Sequence, residues 1–211
     1  EAWKKIERLK DNIEIGKRYV WVTTSEDNWG MGEILAYDKV TDTFKEMREF
    51  TGQILDIARD GDYMWFSDDS GPRISRYNEN DGTWLDYNYP ARPIWGGENA
   101  YHGEIVVEVE YVWFGRSSRG DAAPWLRRYN RATNTFEKFD FMVDKIALDG
   151  QFVWFSGTGP MDWYGEVIYE NPEIRRYDEL TNKLEKVKEG NDISVNLINV
   201  DETSVWFGGF Y

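Results

Sequence analysis

Eleven tryptophans stand among the 211 residues of this chain. Four of them, Trp29, Trp95, Trp125 and Trp163, fall at places that do not recur along the sequence. Interleaved with Tyr101, Tyr164, Asp68, Asp69, Arg119, Asp121 and Asp162, they set flat apolar faces beside hydrogen-bonding groups. A sugar ring offers the matching combination, C–H bonds on one face and hydroxyls around the rim. A protein partner would use the same aromatics as anchors in its interface. The chemistry these residue types offer is therefore recognition of a carbohydrate or of another protein. The competing use of such rings is to cap the ends of the scaffold and pack onto its own loops.

Covalent chemistry is poorly supplied. The chain has no cysteine, which removes thiol nucleophiles, thiolate metal sites and disulfides together. Its one histidine, His102, lies in the connection from Pro90 to Gly103 and reads as a solvated or hydrogen-bonded loop residue. No Gly-x-Ser-x-Gly elbow, P-loop or His-Glu-x-x-His stretch occurs. Calcium is the one cofactor the acidic loops could take, through oxygens of Ser67-Asp68-Asp69-Ser70 or Ser25-Glu26-Asp27-Asn28. Neither stretch has the spacing of a known calcium loop, and a solvated acidic turn accounts for both.

What must position these residues is a repeat. The step Tyr63-Met64-Trp65-Phe66 returns as Tyr19-Val20-Trp21-Val22, Tyr111-Val112-Trp113-Phe114, Phe152-Val153-Trp154-Phe155 and Ser204-Val205-Trp206-Phe207. A second step, Ile74-Ser75-Arg76-Tyr77-Asn78, returns at Ile34 to Asp38, Leu126 to Asn130 and Ile174 to Asp178, but has no fifth copy. Each repeat opens on a β-branched run such as Ile54-Leu55-Asp56-Ile57 and passes a polar turn such as Asp60-Gly61-Asp62. It then carries the two aromatic steps and ends on an alternating run such as Phe136-Glu137-Lys138-Phe139. Four short antiparallel strands with aromatics at fixed places is the pattern of a β-propeller blade. The fold class expected is thus all-β, a propeller of four-stranded antiparallel blades in five copies.

The blades are expected at about residues 12–50, 53–89, 104–141, 142–188 and 193–211, in a single domain over 1–211. Residues 3–9 read as an outer strand that would join the incomplete fifth copy. Either the fifth blade has three strands or, the reading favoured because both ends fall inside the repeat, the chain is part of a longer propeller. Trp21, Trp65, Trp113, Trp154 and Trp206, with Trp3 and Trp84, are scaffold on this reading. The four non-repeating tryptophans belong to connections that leave one end of the blades, which is also where segment length varies, and binding commonly sits on such loops. Glu14, Asp56, Asp144 and Asn196 fall on first strands, which line a propeller's channel. Two or three inward carboxylates could serve a glycoside hydrolase, although polar lining of a wet channel is the simpler use. The repeated arginine, Arg76, Arg128 and Arg176, reads as a structural partner for acids on a neighbouring strand rather than a phosphate site.

The stretch ILDIARDGDYMWFSDDSGPRISRYNENDGTWLDYN resembles the repeats of the two-component-regulator propellers and of the virginiamycin B (streptogramin) lyase-like propellers. The lyase resemblance implies an enzyme with histidines, a carboxylate and magnesium, which a single His102 cannot reproduce. A formal net charge of −14 disfavours nucleic acid and anionic membrane surfaces as partners. No apolar run approaches the roughly 20 residues of a spanning helix. The expectation is a non-catalytic recognition module, secreted or on the cell surface, that binds a glycan or a protein. A structural or assembly role within a larger surface protein, and a magnesium-dependent lyase, are its alternatives.

Overall fold

The computed structural model describes residues 12–24, 32–68, 73–88, 103–115, 126–139, 141–158, 172–189, 195 and 197–209. The described residues are all-β. No helix long and apolar enough to cross a membrane occurs among them. Strands β1 (Asn12–Ile15), β2 (Tyr19–Thr24), β3 (Gly32–Asp38) and β4 (Thr43–Phe50) form one antiparallel sheet in sequence order. A second sheet holds β5 (Ile54–Asp60), β6 (Tyr63–Asp68), β7 (Arg73–Asn78) and β8 (Trp84–Asn88). The third comprises β9 (Ile105–Val107), β10 (Tyr111–Phe114), β11 (Leu126–Asn130) and β12 (Thr135–Phe139). The fourth comprises β13 (Met142–Asp149), β14 (Phe152–Thr158), β15 (Glu173–Asp178) and β16 (Lys183–Glu189). The fifth has two described strands, β17 (Leu197–Val200) and β18 (Val205–Gly208). The chain divides into two compact units, Glu1–Val107 and Glu108–Tyr211.

The turns explain themselves locally. Asp60 pairs with Tyr63 and Asp149 with Phe152, leaving the two-residue loops Gly61-Asp62 and Gly150-Gln151. The glycines take φ of +60° and +53° at the first loop position, the requirement of a type II′ hairpin. Between third and fourth strands the turn is longer. Asp38 Oδ1 accepts the Val40 and Thr41 amides, and Asn130 Oδ1 accepts those of Ala132 and Thr133. Asp42, Asn134 and Asn182 then adopt φ near +55°, a conformation that short polar side chains tolerate. Each meets the hydroxyl of the tyrosine five residues earlier, Tyr37, Tyr129 and Tyr177 respectively.

Neighbouring residues of a strand point to opposite faces, so each Trp-Phe step serves two sheets. In the first unit Trp21 lies edge-on to Phe66 and Tyr77, with ring centroids 5.5 and 5.0 Å away. Ile34, Phe50, Ile54, Ile57 and Met64 complete that core. In the second unit Trp113 meets Phe155 and Tyr177 at 5.2 and 5.0 Å, and Trp154 meets Phe207 at 5.7 Å. The tryptophan of one sheet therefore packs on aromatics of the next, three times over. Each aromatic pair adds about 0.5–1.5 kcal/mol beyond the area it buries.

Candidate functional site

Of the residues expected to bind a ligand, Trp29, Asp69, Trp95, Tyr101, Arg119, Asp121, Trp125, Asp162, Trp163 and Tyr164 lie outside the described residues, as do His102 and Asn196. The described one is Asp68. It ends β6, is fully buried, and receives Arg73 Nη2 at 3.1 Å and Nε at 3.4 Å. Asp68 and Arg73 thus clamp the two strands at the base of the 69–72 segment, and the carboxylate faces its arginine rather than solvent.

The strand ends that carry the connections are cross-braced by arginines. In the first unit two guanidiniums lie over the Phe50 ring, Arg48 at 5.0 Å and Arg73 at 5.2 Å. Arg48 grips Asp86 with two hydrogen bonds of 2.8 and 2.7 Å, while Ser75 donates to the same carboxylate at 2.7 Å. The Arg48 guanidinium, with help from Ser75, holds Asp86 below the usual carboxylate range. In the second unit Arg175 lies 4.5 Å over Phe141 and donates to the buried Glu173 at 2.6 Å. An arginine–aromatic–carboxylate cluster therefore braces this end of the sheets in each unit.

The described first-strand acids each have a local setting. Asp56 Oδ2 accepts the Ile105 amide at 2.7 Å and Oδ1 the Ile57 amide at 2.8 Å, so it ties β5 to β9. Glu14 lies opposite Trp21 on β1, and Asp144 sits at a bulge of β13 between Val143 and Lys145. No three acidic or histidine side chains among the described residues converge as a metal site.

Two of the three repeated arginines have the acidic partners expected of them, and Arg76, which faces Leu85, stacks on rings instead. Arg128 and Arg176 pair with Glu137 and Glu185, directly opposite in the sheet register. They are also stacked on rings. Arg128 is buried over Tyr111 at 4.2 Å and Tyr177 at 4.7 Å, with Trp113 and Phe139 within 5.4 Å. Arg76 faces Leu85 in its register and lies over Tyr63, Trp65 and Tyr87.

One feature of the scaffold is missing from the sequence reading. The indoles of four of the five second-strand tryptophans donate to an acid five residues earlier: Trp65 to Asp60 at 3.0 Å, Trp154 to Asp149 at 3.2 Å, Trp206 to Asp201 at 2.7 Å, and Trp113 to Glu108. In the first sheet that place is Gly16. Trp21 donates instead to the buried Glu79 of the second sheet at 2.7 Å. The Glu79 carboxylate also takes the Lys17 and Arg18 amides at 2.6 and 2.9 Å. A Cβ on Gly16 would lie 2.0 Å from Glu79 Oε1, which is why the residue there is glycine. The signal was in the sequence, as a carboxylate five residues ahead of four of the five tryptophans.

No protein-family model matches the chain, and no curated protein matches its sequence. Solved structures do. The β-propeller domain of the Trilobed protease from Pyrococcus furiosus superposes with a TM-score of 0.60 at 13% identity, over 97% of this chain and 66% of that one. The extracellular domain assigned to a one component system of B. thetaiotaomicron gives 0.58 at 14%, over 93% and 25%. A chain of the Mitotic Checkpoint Complex gives 0.62 at 12%, over 94% and 58%. This chain thus spans between a quarter and two-thirds of the length of these matches. At such identities the likeness fixes the architecture, and the chain is similar to β-propellers, built from the four-stranded antiparallel sheets that form their blades.

Proposed function

We propose that this chain is a non-catalytic recognition module, extracellular or on the cell surface, that binds a carbohydrate or a protein partner through an aromatic, acidic loop face. One observation supports this reading above the others. The segments bearing Trp29, Trp125 and Trp163 join second to third strands, and the one bearing Trp95 joins β8 to β9, so strand alternation brings all four away from the same end of their sheets. At that end the strands are braced by the arginine–aromatic clusters and, beside the 69–72 segment, by the Asp68–Arg73 clamp, which is how a rigid scaffold presents variable contacts. Relatives of this architecture include a domain described as extracellular and a chain of a multiprotein complex, in keeping with either kind of partner.

The deciding experiment is a glycan array probed with the folded chain, with and without calcium, beside the W95A and W163A variants. Binding that both variants lose at unchanged circular dichroism supports a carbohydrate-binding face. A blank array from folded protein leaves a protein partner, to be sought by crosslinking through the same loops. Unfolding of both variants would show the tryptophans to be core and would sink the proposal.

A further inference from the structure

Two residues after each second-strand tryptophan stands a small side chain: Thr23, Ser67, Gly115, Ser156 and Gly208. Strand alternation puts that place on the tryptophan's own face. Trp21, Trp113 and Trp154 each pack from that face onto the next sheet. In the fourth sheet the buried Ser156 hydroxyl donates across the junction to the Val195 carbonyl at 3.1 Å. In the third, a Cβ on Gly115 would come within 3.0 Å of Val143 and 3.1 Å of Ile146, so apolar groups take up the place of a hydroxyl there.

Thr23 and Ser67 differ from both. Each is 0% exposed, and among the described residues neither Thr23 Oγ1 nor Ser67 Oγ has a hydrogen-bond partner. Each lies opposite a polar residue of its own first strand, Asn12 for Thr23 and Asp56 for Ser67. Residues so paired have Cβ atoms about 4.5–5.5 Å apart. Both first-strand side chains reach over to the first strand of the next sheet. Asn12 Nδ2 donates to the Leu55 carbonyl at 3.2 Å, and Asp56 Oδ2 accepts the Ile105 amide at 2.7 Å. Twice, then, a hydroxyl sealed from solvent stands beside a polar group that links two sheets. A hydroxyl buried without a partner is costly, and folded proteins commonly answer it with an internal water that makes about three hydrogen bonds.

We propose that each of these two junctions encloses one ordered water, the first between Thr23 Oγ1 and the Asn12 carboxamide, the second between Ser67 Oγ and the Asp56 carboxylate. The donor and acceptor inventory suits water. A hydroxyl donates and accepts, a carboxamide does both through its two ends, and a carboxylate offers about four acceptor sites. In each junction the water accepts from the hydroxyl and donates to the oxygen of the side chain opposite. Ser156 makes its cross-sheet link directly to a carbonyl, whereas Thr23 and Ser67 make theirs through solvent.

Oxygen-17 relaxation dispersion of the solvent, which counts waters held inside a protein for longer than it tumbles, tests this on the folded chain. T23V, which keeps the shape of the side chain, and S67A should each remove one water from the wild-type count. T23S should retain it, and S156A, whose hydroxyl already has a carbonyl, should leave the count unchanged. In urea T23V should lower the folded-to-unfolded ratio about fivefold, because the water loses a partner. A high-resolution crystal structure, which needs no variant, should show each water within about 3.2 Å of the hydroxyl and of the side chain opposite. An unchanged count in T23V and S67A overturns the proposal. So does a T23V chain more stable than the wild type, the result expected of a dry unpaired hydroxyl, or a crystal structure with a protein group bonded to either hydroxyl.

Discussion

Trp21 Nε1 donates to Glu79 Oε1 at 2.7 Å across two sheets, whereas Trp65, Trp113, Trp154 and Trp206 each find their acid five residues earlier in their own sheet. Glu79 gathers three donors in a buried position, and removing it strands all of them. E79A should cost about 2–4 kcal/mol, read as a lowered midpoint in urea. G16D alone should also destabilise, because its side chain would collide with Glu79. Combined in one chain, the two changes restore the acid-before-tryptophan spacing of the other sheets. The double variant should therefore be more stable than either single one. Additive losses would show that Glu79 is not the substitute acceptor for the first sheet.

Asp38 is buried and accepts Arg18 at 2.8 Å, Lys45 at 2.9 Å and two turn amides. The Arg18 and then the Lys45 hydrogen bonds hold it far below the usual carboxylate range. A depressed folded-state pKa stabilises the fold above the unfolded value and loses that contribution as pH falls toward the folded one. Stability should therefore fall progressively below about pH 4. D38N, which keeps the turn acceptor but not the charge, should be less stable at neutral pH and show a flatter acid limb. Urea midpoints from neutral to strongly acid pH decide this, and an unchanged acid limb in D38N would remove Asp38 from the account.

Arg128 is planar, and it uses that plane, lying over Tyr111 and Tyr177 while pairing with Glu137. Lysine keeps the charge and loses the stacking. R128K should lower stability by about 1–3 kcal/mol in chemical denaturation. R176K, at a more exposed pair, should lose less.

Asp68 separates scaffold from ligand contact. D68N should lower the melting temperature by weakening the clamp on Arg73, with partner binding by the remaining folded protein unchanged. Calorimetry beside the binding assay tells the two roles apart. A large loss of affinity at unchanged stability would return Asp68 to the recognition surface.

Strand order and fold class could be read from the sequence because the aromatic steps recur at fixed places and alternate along each run. The repeated Trp65 and Phe66 had to face opposite neighbours, and Arg128 and Arg176 had to lie opposite acids. What could not be read was non-local. Nothing near Trp21 announces Glu79, fifty-eight residues away, because Gly16 records only the room its carboxylate needs. Likewise Asp68 looks like any loop acid beside Asp69, and only its strand position and Arg73 make it buried. The loop tryptophans themselves fall outside the described residues, and their role rests on the binding experiments.

Trp206 is held by its own hairpin. Its indole N–H is bonded to Asp201, whose other oxygen takes the Thr203 and Ser204 amides, so the ring is fixed to the turn beneath it. A side chain whose rotamer is set locally gives up little further conformational freedom when packing closes over it. The acid ahead of each of these four tryptophans thus lets a hairpin fix the angle of its own ring, a part finished before assembly.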